Sequence, residues 1–196
     1  MVIGSHNSWS YLRPRRWWMR LISFAARCQR VDIREQYLKY GVRCFDLRIR
    51  FDDDFIPIIA HGPVVYGHND PDGENYFKDL RWLNVKGDCY VRVIHEVRTK
   101  KQYHYGEVRR FQDLCGIFKE CFPSIQFWCG RNLYDWKKDY DFGDDPTCEE
   151  TYGSVIKGKK WLYGWWPWLY AVTHNKAIKA QGTNKDILLI DYVDLG

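Results

Sequence analysis

The ten residues from Val42 to Phe51 restrict the fold more than any other stretch of the chain. They run Val-Arg-Cys-Phe-Asp-Leu-Arg-Ile-Arg-Phe. Side chains of a strand point alternately to its two faces, so Phe45, Leu47 and Ile49 share one face and Asp46, Arg48 and Arg50 the other. The apolar face can pack against helices. The charged face must either meet solvent or line a polar mouth. The interior of a parallel-strand barrel is otherwise apolar, so a polar cluster at its strand ends marks an active site.

Two histidines lie on either side of this strand, each at the end of an apolar run. His6 sits in Gly4-Ser5-His6-Asn7-Ser8 and His61 in Ile58-Ile59-Ala60-His61-Gly62. Imidazoles hold or release a proton near neutral pH, so a pair can divide the work of base and acid. A buried guanidinium between them suits a phosphate, which it grips in a bidentate fork. A lone histidine is more simply a satisfied core or loop residue. Two at matching strand ends, with Arg48 between them, point to catalysis.

The 196 residues suffice for a single domain, 1–196, with a sizeable core. The pattern predicts a first strand over 1–5 and a basic, aromatic helix or lid over 11–30. A helix over 33–40 follows, closed by Gly41. After a turn at Asp52-Asp53-Asp54 comes a return strand over 55–61. A helix begins near Asp79 and ends before Gly87, and a strand covers 89–97. Helical spacing of Phe111, Leu114, Cys115 and Phe118 marks 108–121. A strand covers 124–129, and 130–153 reads as loop. Pro167 opens a helix that runs through Ala177, and a buried strand spans 187–192. By parity His95 faces away from Glu96 and belongs to packing. No internal repeat or linker divides the chain.

These pieces resemble the X domain of phosphatidylinositol-specific phospholipases C, with the pattern nearest the metal-independent bacterial type. Gly-Ser-His-Asn-Ser, the run from Ile33 to Arg48, and Ala60-His61-Gly62 carry the match. So do Tyr170-Ala171-Val172-Thr173-His174-Asn175-Lys176 and the strand ending at Asp191-Tyr192. The resemblance is dense over 1–66, thin from about 100 to 160, and returns over 166–194. It implies an α/β fold of the (β/α) TIM type. A full eight-unit barrel takes about 250 residues, so a trimmed, irregular barrel is expected.

The resemblance also implies a reaction. The inositol 2-hydroxyl attacks the phosphodiester, diacylglycerol leaves, and a cyclic inositol phosphate remains. His6 would be the base and His61 the acid, with Asp191 holding the base. Arg48 would neutralise the phosphate where calcium-dependent relatives carry a carboxylate. Asp46 and Glu96 would hold the Arg48 fork. Asn7 stands where the metal-independent enzymes have an aspartate that assists the acid. Asn7, Asp46 and Glu96 together offer three oxygen donors, so Ca2+ is the alternative to the expected absence of a cofactor. Headgroup contacts fall on Glu96, Arg98, Arg131, Asp145 and Tyr152, each of which could equally be a surface charge or packing aromatic. Two other readings remain open: another phosphodiester substrate, or a lipid-binding pseudoenzyme.

Net charge is only +5, but its distribution is uneven. Arg13, Arg15, Arg16 and Arg20 surround Trp17-Trp18, and Lys157, Lys159 and Lys160 precede Trp161. Basic residues beside indoles suit an anionic membrane surface, and also single-stranded nucleic acid. The phospholipase resemblance favours the membrane, through Trp17 and Trp18, over nucleic acid. The second cluster, Trp165, Trp166 and Trp168, is expected mainly to pack. Seven scattered cysteines show no zinc spacing and read as buried free thiols of a reducing compartment. With no leader visible before His6, the expectation is a monomeric cytoplasmic protein, or one released or membrane-associated by another route.

Overall fold

The computed structural model describes residues 2–67, 74–96, 105–131, 148–150, 166–181 and 187–195. In chain order these form β1 (Val2–Ser5), α1 (Met19–Ile22), α2 (Ile33–Tyr40), β2 (Cys44–Phe51), β3 (Pro57–His61), β4 (Val64–Val65) and α3 (Glu74–Lys86). There follow β5 (Tyr90–His95), α4 (Tyr105–Cys121), β6 (Gln126–Arg131), β7 (Cys148–Glu150), α5 (Pro167–Gln181) and β8 (Ile187–Ile190). Short 3-10 turns occupy Ser8–Tyr11 and Ser23–Ala25. Helix α2 starts where the Asp32 carboxylate accepts from the Glu35 N–H, satisfying an orphan donor, and stops at Gly41 with φ 67°.

The strands build one mixed sheet. Its parallel portion runs β6-β5-β2-β1-β8-β7, and the β3–β4 hairpin adds antiparallel to the far end of β2. Strand β2 is central. Its start pairs with β1, its end with β3, and its other edge with β5. The fold is therefore α/β. The described strands form an open sheet with β6 and β7 at its edges, and the segments that follow each edge strand, 132–147 and 151–165, lie outside the described residues.

Strand parity divides the core in two. Phe45, Leu47, Ile49, Val91, Val93, Phe127, Leu188 and Ile190 belong to a large core with Ile33 of α2, Leu80 and Leu83 of α3, and Phe111 and Phe118 of α4. Each such side chain contributes about 1.5–3 kcal/mol on burial. The alternate residues Cys44, Trp128, Ile187 and Leu189 form a second, smaller cluster on the other face, flanked by Val2 and Tyr90. Gly4 lies in this inner layer. A Cβ there would come within 2.6 Å of Leu189 Cδ2 and 3.0 Å of Cys44 Cβ, so glycine lets β1 pass between its neighbours.

Several expectations shift. Helix α3 begins five residues before Asp79, and β3 begins two residues after Phe55, which takes a left-handed turn conformation with φ 61°. A strand, β7, lies within the expected loop. It is three residues long and carries two charges, so no apolar pattern announces it; its pairing with β8 defines it. Cys28, Cys44, Cys89 and Cys115 are buried as expected, but Cys121 is exposed at the end of α4. No helix among the described residues is long and apolar enough to cross a membrane.

Candidate active site

Sheet register brings the polar residues together. Val2 lies opposite Ile187 and Gly4 opposite Leu189, so one step further His6 follows β1 beside Asp191 following β8. Gly4 also lies opposite Cys44, which puts His6 level with Asp46, and Asp46 pairs in register with Arg92. Asp191, His6, Asp46 and Arg92 thus form a polar row directly above the small apolar cluster. The β3 strand returns along the β1 edge of β2 and delivers His61 next to His6: the ring centroids are 5.5 Å apart at an interplanar angle of 81°.

The partners of His6 fix its tautomer. Its Nδ1 is 2.8 Å from Asp191 Oδ1, and its Nε2 is 2.6 Å from Arg48 Nη2. A carboxylate can only accept and a guanidinium can only donate. Nδ1 therefore carries the proton, and Nε2 presents a lone pair on the side facing Arg48. That is the form a general base requires.

Arg48 is held on three sides. Its Nε donates to Asp46 Oδ2 at 2.8 Å, Nη1 lies 3.5 Å from Glu96 Oε2, and Nη2 meets His6. Asp46 is fully buried and also accepts from the Asn7 N–H at 3.0 Å. Glu96 Oε1 accepts from the Gly62 N–H at 2.8 Å, which ties the carboxylate to the turn behind His61. Arg50 spans the same two segments, donating to Glu96 O at 3.1 Å and Gly62 O at 2.6 Å. Gly62 has φ 54°, so this turn suits glycine. The charged face of β2 does not meet solvent: Arg48 and Arg50 are both more than nine-tenths buried.

His61 has a different environment. Burial, then the nearby Arg48 charge, pulls its pKa down from 6.5 to about 4, while Glu96 opposes the shift. Its Nδ1 is buried with no hydrogen-bond partner among the described residues. Asn7 does not supply one. Its amide turns the other way and donates to Ala26 O at 3.2 Å, so Asn7 acts on the site through its backbone. Asn7 (φ 45°) and Tyr192 (φ 47°) both take left-handed conformations, directly after His6 and Asp191. Such backbone costs about 1–3 kcal/mol and persists where the surroundings dictate it.

Gln29 has no signal in the sequence, since it lies in a basic stretch without periodicity. It is fully buried, and its amide donates to Ile190 O at 2.8 Å and His6 O at 3.1 Å. Its Oε1 accepts from the Val193 N–H at 3.1 Å. It thereby staples the ends of β1 and β8, which carry the base and its carboxylate. Asn175 of α5 donates to the carbonyls of Asp191, Tyr192 and Leu195 and fixes the chain beyond β8.

Arg131 ends β6 opposite His95, and its side chain lies outside the described residues. Arg98, Asp145 and Tyr152 lie outside them altogether. His95 packs in the core, stacked on Phe111 with centroids 5.0 Å apart. Trp17 and Trp18 are exposed, at 73% and 41%. Trp166 and Trp168 are also nearly half exposed, which corrects the expectation that they pack. They flank Pro167 at the first turn of α5, and Trp166 meets Phe24 at 5.8 Å, so aromatic groups from both ends of the chain meet at the surface.

No family model matches the sequence, and no curated protein matches it. Solved structures do. The chain is similar to a single-residue mutant of the phosphatidylinositol-specific phospholipase C of Staphylococcus aureus, with TM-score 0.63 and 15% identity over 97% of this chain and 84% of that one. A double mutant of the same enzyme gives TM-score 0.59 at 15% identity, with the same coverage. A third structure, from work on modulating that enzyme's membrane binding, gives 0.52 at 16% over 97% and 85%. At this identity the likeness is one of fold.

Proposed function

We propose that this single-domain chain is a phosphodiesterase that cleaves the glycerol–phosphate bond of phosphatidylinositol-type lipids, yielding a cyclic inositol phosphate and diacylglycerol. The observation that carries the reading is the convergence of His6, His61 and Arg48: two imidazoles 5.5 Å apart, with a guanidinium on the lone pair of the first. The fold likeness supports a trimmed, irregular TIM-type barrel with these residues at its strand ends.

In the proposed reaction the phosphate draws Arg48 Nη2 away from His6, and the inositol 2-hydroxyl takes its place at Nε2. His6 removes the hydroxyl proton as the oxygen attacks phosphorus. The resulting imidazolium is stabilised by Asp191 at Nδ1. Arg48 neutralises the charge that builds on the phosphoryl oxygens, held in place by Asp46 and Glu96. His61 gives a proton to the departing glycerol oxygen. Alone it is neutral at pH 7, with a pKa of about 4. The incoming phosphate charge raises that value, so substrate binding loads the acid with its proton.

Metal independence is part of the proposal. The guanidinium of Arg48 already supplies the positive charge between Asp46 and Glu96. The exposed Trp17, Trp18, Trp166 and Trp168, with Arg13, Arg16 and Arg20 exposed beside the first pair, support transient docking on an anionic membrane by a monomer. A second reading, a lipid-binding protein of weak turnover, is favoured by one observation: Nδ1 of His61 lacks an orienting partner among the described residues. The test is diacylglycerol release from phosphatidylinositol vesicles with excess chelator. Release by the parent that is lost in His6→Ala and Arg48→Ala supports catalysis. Vesicle binding without release supports the second reading.

A further inference from the structure

We infer that His6, Cys28 and Asp191 form a site for a borderline-soft divalent cation of the Zn2+ class, and that filling it switches the base off. The second half of this inference rests on the reading of His6 as the base. The ligand atoms of the three residues lie within 4.8 Å of one another. All three side chains are more than nine-tenths buried. Thiolate, imidazole and carboxylate form a donor set that Zn2+ takes at about 2.0–2.3 Å, which spaces tetrahedral ligands roughly 3.3–3.8 Å apart. Closing the triangle therefore needs side-chain shifts of about 1 Å or less. Calcium, which takes only oxygen, does not suit a thiol and an imidazole.

A second observation points to a ligand. Asp191 Oδ2 is buried with no partner of ordinary hydrogen-bond geometry among the described residues, and the group beside this carboxylate is the Cys28 thiol, a weak donor. A buried carboxylate oxygen without a strong donor is costly, and a cation would satisfy it. Geometry also selects the nitrogen. His6 Nε2 faces the Arg48 guanidinium at 2.6 Å, where a dication would meet a permanent positive charge. Nδ1 faces Asp191 at 2.8 Å, so the cation binds there, on the side of the ring away from Arg48.

The consequence for the base follows from proton accounting. On binding, the Cys28 thiol proton leaves to solvent, and the imidazole proton moves from Nδ1 to Nε2. Nε2 then holds an N–H in place of its lone pair. It cannot accept the substrate's hydroxyl proton, and it opposes the N–H of Arg48. Cys28 touches no reacting atom in the proposed mechanism, so its removal leaves the metal-free reaction intact.

The test uses the full chain freed of metal and titrated with Co2+, which gives a near-ultraviolet charge-transfer band only when bound to a thiolate. The expected result is a band that saturates at one equivalent and disappears in Cys28→Ala, with circular dichroism showing that the variant is folded. Should Cys28→Ala unfold, Cys28→Ser, nearer in size, is read in the same way. Zn2+ is expected to inhibit phosphatidylinositol hydrolysis by the parent reversibly, and Cys28→Ala to need at least tenfold more. No band, or a band that persists without Cys28, overturns the site. A Cys28-dependent band in a protein that hydrolyses nothing keeps the site and overturns the reading of His6 as the base. An active protein without the band does the reverse.

Discussion

Replacing Arg48 with methionine keeps most of the side-chain volume and removes the charge. Arg48 lies between Asp46, which is fully buried, and Glu96, which is 3% exposed. Removing one partner of a buried ion pair costs about 3–5 kcal/mol, because the remaining charge is stranded. Here both carboxylates keep other donors: Asp46 has the Asn7 N–H at 3.0 Å and Arg92 at 3.9 Å, and Glu96 has the Gly62 N–H at 2.8 Å. The expected loss is therefore at the lower end, about 3 kcal/mol. Urea unfolding of parent and variant reads this loss. A deficit near 3 kcal/mol is expected, with turnover down at least a hundredfold. A deficit under about 1 kcal/mol would refute the account of Arg48 as the shared counter-charge.

Other consequences are open to measurement. Asp191→Asn keeps the shape but takes the negative charge from Nδ1 of His6; kcat is expected to fall by about 10²–10⁴-fold with KM little changed, and an unaltered kcat would remove Asp191 from the mechanism. The limbs that His61 governs as the acid, on which activity falls as pH rises, should separate between the two pH profiles. The kcat/KM profile reports free His61 near its pKa of about 4, and the kcat profile reports the phosphate-loaded residue at higher pH; coincident limbs would contradict loading by substrate. Asp79 accepts from Trp9 Nε1 and Tyr11 Oη, and burial raises its pKa to about 6. Its stabilising contribution is therefore lost as pH rises from about 4 to 6, while the depressed His61 acts oppositely, gaining stability over the same window. Asp79→Asn should unmask the His61 slope, so that stability rises with pH between 4 and 6.5; a flat profile in that variant would contradict it.

Strand β2 was legible because an amphipathic strand writes its two faces into alternate residues, and Asp46, Arg48 and Arg50 follow that parity. Helix α2 was legible from Asp32 to Gly41 because cap and stop are local chemistry. The placement of His61 was less so. An antiparallel return after a parallel strand depends on pairing along a shared β2 edge, and sequence periodicity does not record that choice. The roles of Gln29, Cys28 and Asn175 were not legible, because they are bonds to backbone carbonyls, or proximity to groups, far away in the sequence. Asn7 matched a family position, yet its side chain turns to Ala26 because the left-handed backbone at that residue directs it there. The Trp166–Trp168 segment looked like packing material by composition. Its exposure follows from standing at the first turn of α5, on the surface that also carries Phe24.

The central claim concerns a chemical event: attack on phosphorus by a neighbouring hydroxyl of the substrate, with a histidine taking the proton. Phosphorus NMR of phosphatidylinositol vesicles treated with the protein in excess chelator reads that event directly. The account predicts a five-membered cyclic inositol phosphate as the first product, absent with His6→Ala. A first product that is an acyclic phosphate, or unchanged lipid after prolonged incubation, would contradict it.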